Sequence, residues 1–250
     1  MIIACVMFLC LVNLSCGKIA FQKTKGLAKS GDAEAQFNLG DVYYKGEVVP
    51  KNYAESLKWY RKAADQGYAD AQHRLGYMYA KGEGVSQNYM EALKWFKKAA
   101  DQGSAKSQYN VAYIYAQGEG VPQNYTKAIK WYRKAADQEY VLAQISLGLM
   151  YEVGEAVPQN YVEALKWYTK AADQGAALAQ SKLGYMYAKG EGIPQNLIKA
   201  FVWCSLASAN GNGSAKKSLA ILRSKMTPQQ VIQAENEADQ LWERINSSKK

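Results

Sequence analysis

The chain has 250 residues, 48% of them hydrophobic, which is enough apolar side chain to bury a substantial core. A single histidine and four cysteines, three of them before residue 17, exclude a histidine-rich metal centre and a disulfide-stapled scaffold. The formal charge is +9, and residues 1–17 carry no charged side chain, so the excess lies wholly in the remainder.

Ile2 to Leu14 form an apolar run broken only by Asn13, followed by the small residues Ser15, Cys16 and Gly17. This resembles the apolar core and cleavage site of a secretory signal, and it is too short to span a bilayer comfortably. No Lys or Arg precedes the run. Asn13-Leu14-Ser15-Cys16 matches a bacterial lipoprotein cleavage box only in part, because Asn13 stands where an aliphatic residue is usual. Cleaved export is the first expectation for residues 1–17, lipidation at Cys16 the second, and an uncleaved membrane anchor the third. Residues 18–31 are expected to form a degenerate N-terminal capping helix: Phe21, Ala28 and Gly31 stand one period before Leu57, Ala64 and Gly67.

That period is 36 residues, and it runs through five successive units, 33–68, 69–104, 105–140, 141–176 and 177–212. It aligns Trp59, Trp95, Trp131, Trp167 and Trp203, and likewise Gly46, Gly82, Gly118, Gly154 and Gly190. A repeat of this length predicts stacked units, none of which buries its apolar face alone. In the second unit Ala71, Leu75, Met78 and Tyr79 make the apolar stripe of a first helix, A. Gly76 beside them, replaced by Ala112 in the third unit, predicts close approach of a neighbouring helix. Gly82 is the expected left-handed cap. Helix B starts at Asn88, and Glu91 completes an Asn-x-x-Glu variant of the capping box, as do Asn52/Glu55 and Asn160/Glu163. Lys127 and Lys199 leave the Asn cap alone. Leu93, Phe96, Ala99 and Ala100 form the predicted buried face of helix B, with Trp95 at its border. Gly67, Gly103, Gly175 and Gly211 close the B helices, with Glu139 as the exception.

Residues 213–250 are expected to add a half-repeat and a covering helix. Ala215, Leu219 and Ala220 continue the period, and Thr227-Pro228 is a fresh helix start. From there Val231, Ala234, Ala238, Leu241 and Ile245 share one face. Cys204 takes the place of the tyrosine in its column (Tyr60, Tyr132, Tyr168) and is expected to behave as a small buried hydrophobe.

The phrases Ala71-Gln72-His73-Arg74-Leu75-Gly76-Tyr77-Met78-Tyr79, Gly82-Glu83-Gly84-Val85 and Ala92-Leu93-Lys94-Trp95-Phe96-Lys97-Lys98-Ala99-Ala100 resemble the Sel-one-like repeat family, tetratricopeptide-like helical hairpins. The resemblance covers Ala33 to Asn212. It implies an all-α, right-handed α-solenoid of antiparallel helix pairs, with helix A lining a concave groove where peptides lie. It also implies adaptor roles in complex assembly and signalling, including the bacterial envelope and host interaction.

One column of helix A varies from unit to unit: Phe37, His73, Tyr109, Ile145 and Ser181. Four residues on stand Asp41, Tyr77, Tyr113, Leu149 and Tyr185. Residues i and i+4 share a helix face, so Phe37, Asp41, His73, Tyr77, Tyr109, Tyr113 and Tyr185 are the expected partner-binding residues of the concave face. The alternative is that these tyrosines merely pack between adjacent A helices. Helix B carries a basic ridge in four units, with Lys58, Lys62, Lys94, Lys98, Lys130 and Lys134 as a candidate anionic-surface site. Glu55–Lys58 and Lys62–Asp65 pairs at helical spacing favour a plain solvated face there.

No Gly-rich phosphate loop, metal-ligand cluster or nucleophile with a base at recognisable spacing occurs, so neither cofactor nor enzyme activity is expected. The expected function is a non-enzymatic scaffold of the bacterial cell envelope, periplasmic or secreted, for a protein or extended peptide. A nucleic-acid partner is not expected, and a membrane tether rests on the N-terminal segment. Two alternatives stand beside it. One is a cell-wall-related or β-lactam-interacting enzyme, since a cysteine-rich branch of the family is linked to penicillin binding; the regular cysteine pairs of that branch are missing here. The other is adhesion to anionic surfaces through the helix-B ridge.

Overall fold

Each unit carries two stop signals, a glycine after helix A and a polar turn after helix B, so short helices alternate with tight loops. The computed structural model describes residues 19–155 and 157–247. The expectations for residues 1–17, including lipidation at Cys16, lie outside the described residues. The helices are α1 (residues 19–29), α2 (Ala33–Lys45), α3 (Tyr53–Asp65), α4 (Ala69–Lys81), α5 (Tyr89–Asp101) and α6 (Ala105–Gln117). After them come α7 (Tyr125–Asp137), α8 (Val141–Val153), α9 (Tyr161–Asp173), α10 (Ala177–Lys189), α11 (Leu197–Ala209), α12 (Gly213–Arg223) and α13 (Pro228–Ser247). No strand occurs among the described residues. The fold is all-α, a solenoid-type succession of helix pairs on the 36-residue period.

The chain divides after Asn124 into two compact units. In the first, α2 pairs with α3 and α4 with α5, and α3 and α5 each pack on the following A helix. The second repeats the scheme with α8/α9 and α10/α11, and α11 also carries α12 and α13. Small residues set the spacing. A Cβ built on Gly40 would fall 2.5 Å from the Tyr60 ring, on Gly76 2.6 Å from Phe96, on Gly148 2.5 Å from Tyr168, and on Gly184 2.5 Å from the Cys204 sulfur. Leu39, Leu75, Met78, Leu147, Leu183 and Met186 fill the remaining core. Each contributes about 1.5–3 kcal/mol through burial. Trp95 is not at the border: it is only 3% exposed, with the Arg61 guanidinium of α3 6.0 Å and the Lys98 ammonium 4.1 Å from its ring centroid.

The helix-B caps are half of the expected box. The Asn52, Asn88, Asn160 and Asn196 side chains each accept from the backbone N–H three residues on, at 2.9–3.1 Å. Their own N–H groups do not meet the glutamate. They donate to the carbonyls of Tyr43, Tyr79, Tyr151 and Tyr187, all at 2.9 Å. The end of helix A has orphan carbonyls, so this pairing satisfies both helices and ties their loop. Glu55, Glu91 and Glu163 pair instead with Lys58, Lys94 and Lys166 at 3.5 Å. The Thr227 start does form a reciprocal box with Gln230, at 3.2 and 2.9 Å.

A second polar device was not expected from the sequence. Gln36, Gln72, Gln144 and Gln180 are buried in A helices, where each amide donates to an alanine carbonyl eight residues upstream. Each amide oxygen in turn accepts from the side chain thirty residues downstream, Gln66, Gln102, Gln174 or Asn210, at 2.8–2.9 Å. One glutamine thus satisfies carbonyl and amide groups at the ends of two B helices.

At the N-terminal end Ala28, Ala35, Leu39 and Trp59 form a core with Phe21 of α1 against it. At the other end Val231, Ala234, Ala238 and Ile245 of α13 pack with Phe201, Val202 and Leu206 of α11. Cys204 is buried in that core, and burial pushes its thiol up to about 11, so it behaves as a small hydrophobe.

Candidate binding cleft

Tyr77 on α4 and Tyr113 on α6 occupy equivalent positions one period apart, and Tyr109 stands one turn before Tyr113. In the first unit these three tyrosines line one cleft of about 290 Å³. Tyr89 and Phe96 of α5, with Ala80 and Lys81 at the end of α4, form more of its wall, and Asn110, Ile114 and Glu119 complete it. Tyr77 and Tyr109 are half-buried, and Tyr113 is 41% exposed. Burial raises the Tyr89 hydroxyl, and the Glu119 carboxylate, its hydrogen-bond partner, raises it further. The cleft is therefore an aromatic concavity with one acidic group, Glu119, and one basic group, Lys81, suited to an apolar or aromatic side chain carrying a hydrogen-bond donor.

The other expected residues are placed differently. Phe37 packs between Tyr60 and Tyr68, with ring centroids 5.6 and 5.2 Å away. Asp41 accepts from the Tyr60 hydroxyl and lies 3.6 Å from Arg74 and 3.8 Å from Lys45. Burial and the Asp41 carboxylate raise the Tyr60 hydroxyl well above the ordinary phenol range. His73 is half-buried, with Nδ1 2.8 Å from the Ser107 hydroxyl and its ring 5.5 Å from Phe96. Burial lowers its pKa to about 4, helped by the charges of Lys106 and Arg74 and opposed by Asp70. Tyr185 belongs to the second unit. There it is 48% exposed and lines a cleft of about 500 Å³ with Ala188, Leu197, Cys204, Ile221 and Leu222.

Sequence reasoning missed Tyr89, Phe96 and Glu119 as wall residues because they lie outside the helix-A column. Their common period with Tyr53, Tyr60 and Glu83 was the signal available.

Much of the basic ridge is engaged with neighbouring rings. The Lys62, Lys98 and Lys134 ammonium groups lie 4.5, 4.1 and 4.2 Å from the centroids of Trp59, Trp95 and Trp131. Lys62 takes this position rather than the expected pairing with Asp65. Lys58 and Lys94 pair with Glu55 and Glu91, and Lys130 is exposed. The Arg61 guanidinium bonds the Tyr79 hydroxyl of the next A helix, and Arg133 does the same to Tyr151 at 2.5 Å. Among the described residues no group of three or more His, Cys, Asp or Glu side chains could hold a metal ion. No helix among them is long and apolar enough to cross a membrane.

Comparison with known proteins finds the Sel1 repeat model at residues 33–68, 69–104, 105–140, 141–175 and 177–212. A crystal structure of a protective antigen present in uropathogenic Escherichia coli strains, displaying an SLR fold, is 34% identical with a TM-score of 0.80. The match covers 88% of this chain and 48% of the antigen. A Sel1 repeat protein from Oxalobacter formigenes is 31% identical with a TM-score of 0.72, over 91% of this chain and 99% of that one. A sel1-like repeat-containing protein of Acanthamoeba polyphaga mimivirus is 47% identical over 45 residues, 18% of this chain and 8% of the viral protein. The chain thus spans about half the antigen and a small part of the viral relative.

Proposed function

The chain belongs to the Sel1 repeat family, and from that premise we propose that it is a non-enzymatic scaffold binding a protein or extended peptide through the exposed face of its A helices. Family members are generally protein-interaction modules. The observation that carries the reading is the convergence of Tyr77, Tyr109 and Tyr113 on one cleft with Tyr89 and Phe96. Tyrosine is among the residues that dominate binding energy, because it offers large contact area for little conformational entropy. Phe37, Asp41 and His73 act in this account as supports, since their side chains are held by packing and hydrogen bonds.

We also place the protein outside the cytoplasm of a bacterium. The apolar run from Ile2 to Leu14 supports export, and the similar E. coli protein is a protective antigen.

The test is crosslinking capture from native envelope extract with the full chain and with Tyr77→Ala/Tyr113→Ala. A partner retained by the parent protein and lost with the double variant, at unchanged helicity and melting temperature, supports the cleft. Equal capture by both contradicts it and moves attention to the helix-B ridge.

A further inference from the structure

Within the first unit the same arrangement occurs twice, one period apart, and its upstream copy is filled by the chain itself. Tyr44, at the end of α2, lies with its ring centroid 5.3 Å from Tyr53 and 6.5 Å from Tyr60. Its hydroxyl donates to Glu83 Oε2 at 2.8 Å, and the Arg74 guanidinium lies 5.7 Å from its ring centroid. Thirty-six residues on, every contact group has a counterpart: Tyr89 for Tyr53, Phe96 for Tyr60, Glu119 for Glu83 and Asn110 for Arg74. Tyr44 alone has lost its ring, because its counterpart is Ala80. All five of these downstream residues line the 290 Å³ cleft.

We propose that this cleft takes a tyrosine side chain of the bound protein, its ring against Tyr89 and Phe96 and its hydroxyl donating to the Glu119 carboxylate, whose two oxygens can accept from it as well as from the Tyr89 hydroxyl. This rests on the scaffold reading and specifies its occupant. The upstream copy shows that a phenol fits such walls with its hydroxyl on the acid. Size agrees, since the volume lies at the lower end of the range for ligand pockets, about 300 Å³, and suits one side chain. Charge narrows the choice further. A phenylalanine would forgo the charge-assisted hydrogen bond, and a phosphotyrosine would bring like charge against Glu119.

The second-unit cleft offers a contrast. It also has an alanine, Ala188, in the Tyr44 column, but Leu197 and Cys204 replace the aromatic walls and Thr227 stands in the glutamate column. The cleft beside Tyr185 is therefore not assigned tyrosine selectivity.

The experiment is an NMR titration of the full chain with three probes: N-acetyltyrosinamide, N-acetylphenylalaninamide and N-acetylphosphotyrosinamide. The tyrosine amide is expected to perturb the Tyr77, Tyr109 and Tyr113 ring signals and to bind about tenfold tighter than the other two, the scale of one charge-assisted hydrogen bond. Glu119→Gln should erase the preference. Ala80→Tyr, which supplies the ring from within, should abolish the perturbation without lowering the melting temperature. Equal affinity for the three amides overturns the proposal on the parent protein alone, whatever the variants do. Partner capture that depends on Tyr77 and Tyr113 but not on Ala80→Tyr overturns the tyrosine occupant and leaves the scaffold standing. Capture that depends on neither set overturns both.

Discussion

Several side chains carry more constraint than their types suggest, and three can be checked singly. Glu139 ends α7 at φ 63°, the left-handed region where Gly67, Gly103, Gly175 and Gly211 stand in the equivalent turns. A side chain there costs about 1–2 kcal/mol, so Glu139→Gly should stabilise the protein by roughly 1 kcal/mol in urea unfolding. Gly148 faces the Tyr168 ring, and Gly148→Val forces that ring aside, with an expected loss of about 1–3 kcal/mol by the same assay. His73 is held neutral by burial, its folded pKa of about 4 lying below the unfolded 6.5. The unfolded chain therefore binds its proton first. The histidine's contribution is complete above about pH 6.5, declines as pH falls, and is gone below about pH 4. The span corresponds to on the order of 3 kcal/mol. A ring-proton titration of this sole histidine reads the pKa directly, and His73→Phe should flatten the dependence.

Among the elements, the caps and the buried glutamines do the joining. Asn88→Ala removes one capping hydrogen bond and should cost about 1 kcal/mol. Asn196→Ala should cost the same although Lys199 stands where the glutamate would be, because the cap N–H is taken by helix A in both cases. Gln72→Leu is the sharper test. It removes two hydrogen bonds, one of those accepted by the Ala64 carbonyl, which keeps the Gly67 N–H, and one donated by Gln102, which keeps the Gly67 carbonyl, for an expected loss of about 1–3 kcal/mol. The helix pattern was legible in the sequence because glycine, Asn and the apolar stripe recur at fixed spacing. The glutamine clamp was not, since a polar residue beside an apolar stripe reads as solvated until its partners thirty residues away are known. The candidate site was legible in part for the same reason. Tyr109 could be picked from a variable column, and Tyr77 and Tyr113 from the one four residues on, but the variable column also changes at Phe37 and His73, where the variation follows the neighbour being packed: Tyr60 and Tyr68 in one unit, Phe96 and Ser107 in the next.

At the scale of the molecule, packing in each compact unit runs chiefly between helices adjacent in sequence, so the stability of each is a sum of local pairings. The net charge of +9 does not by itself point to a polyanion partner. Many helix-B cations lie over tryptophans or pair with glutamates, and their aliphatic stems cover apolar surface. The recognition proposed for the first unit rests instead on its aromatic cleft. Photocrosslinking tests that claim most directly, with benzoylphenylalanine placed either at Tyr113 or on helix B at Lys94 and the protein exposed to native envelope extract. A partner adduct from position 113 and none from position 94 is the predicted result. Adducts from position 94 alone would contradict the account and assign recognition to the basic ridge.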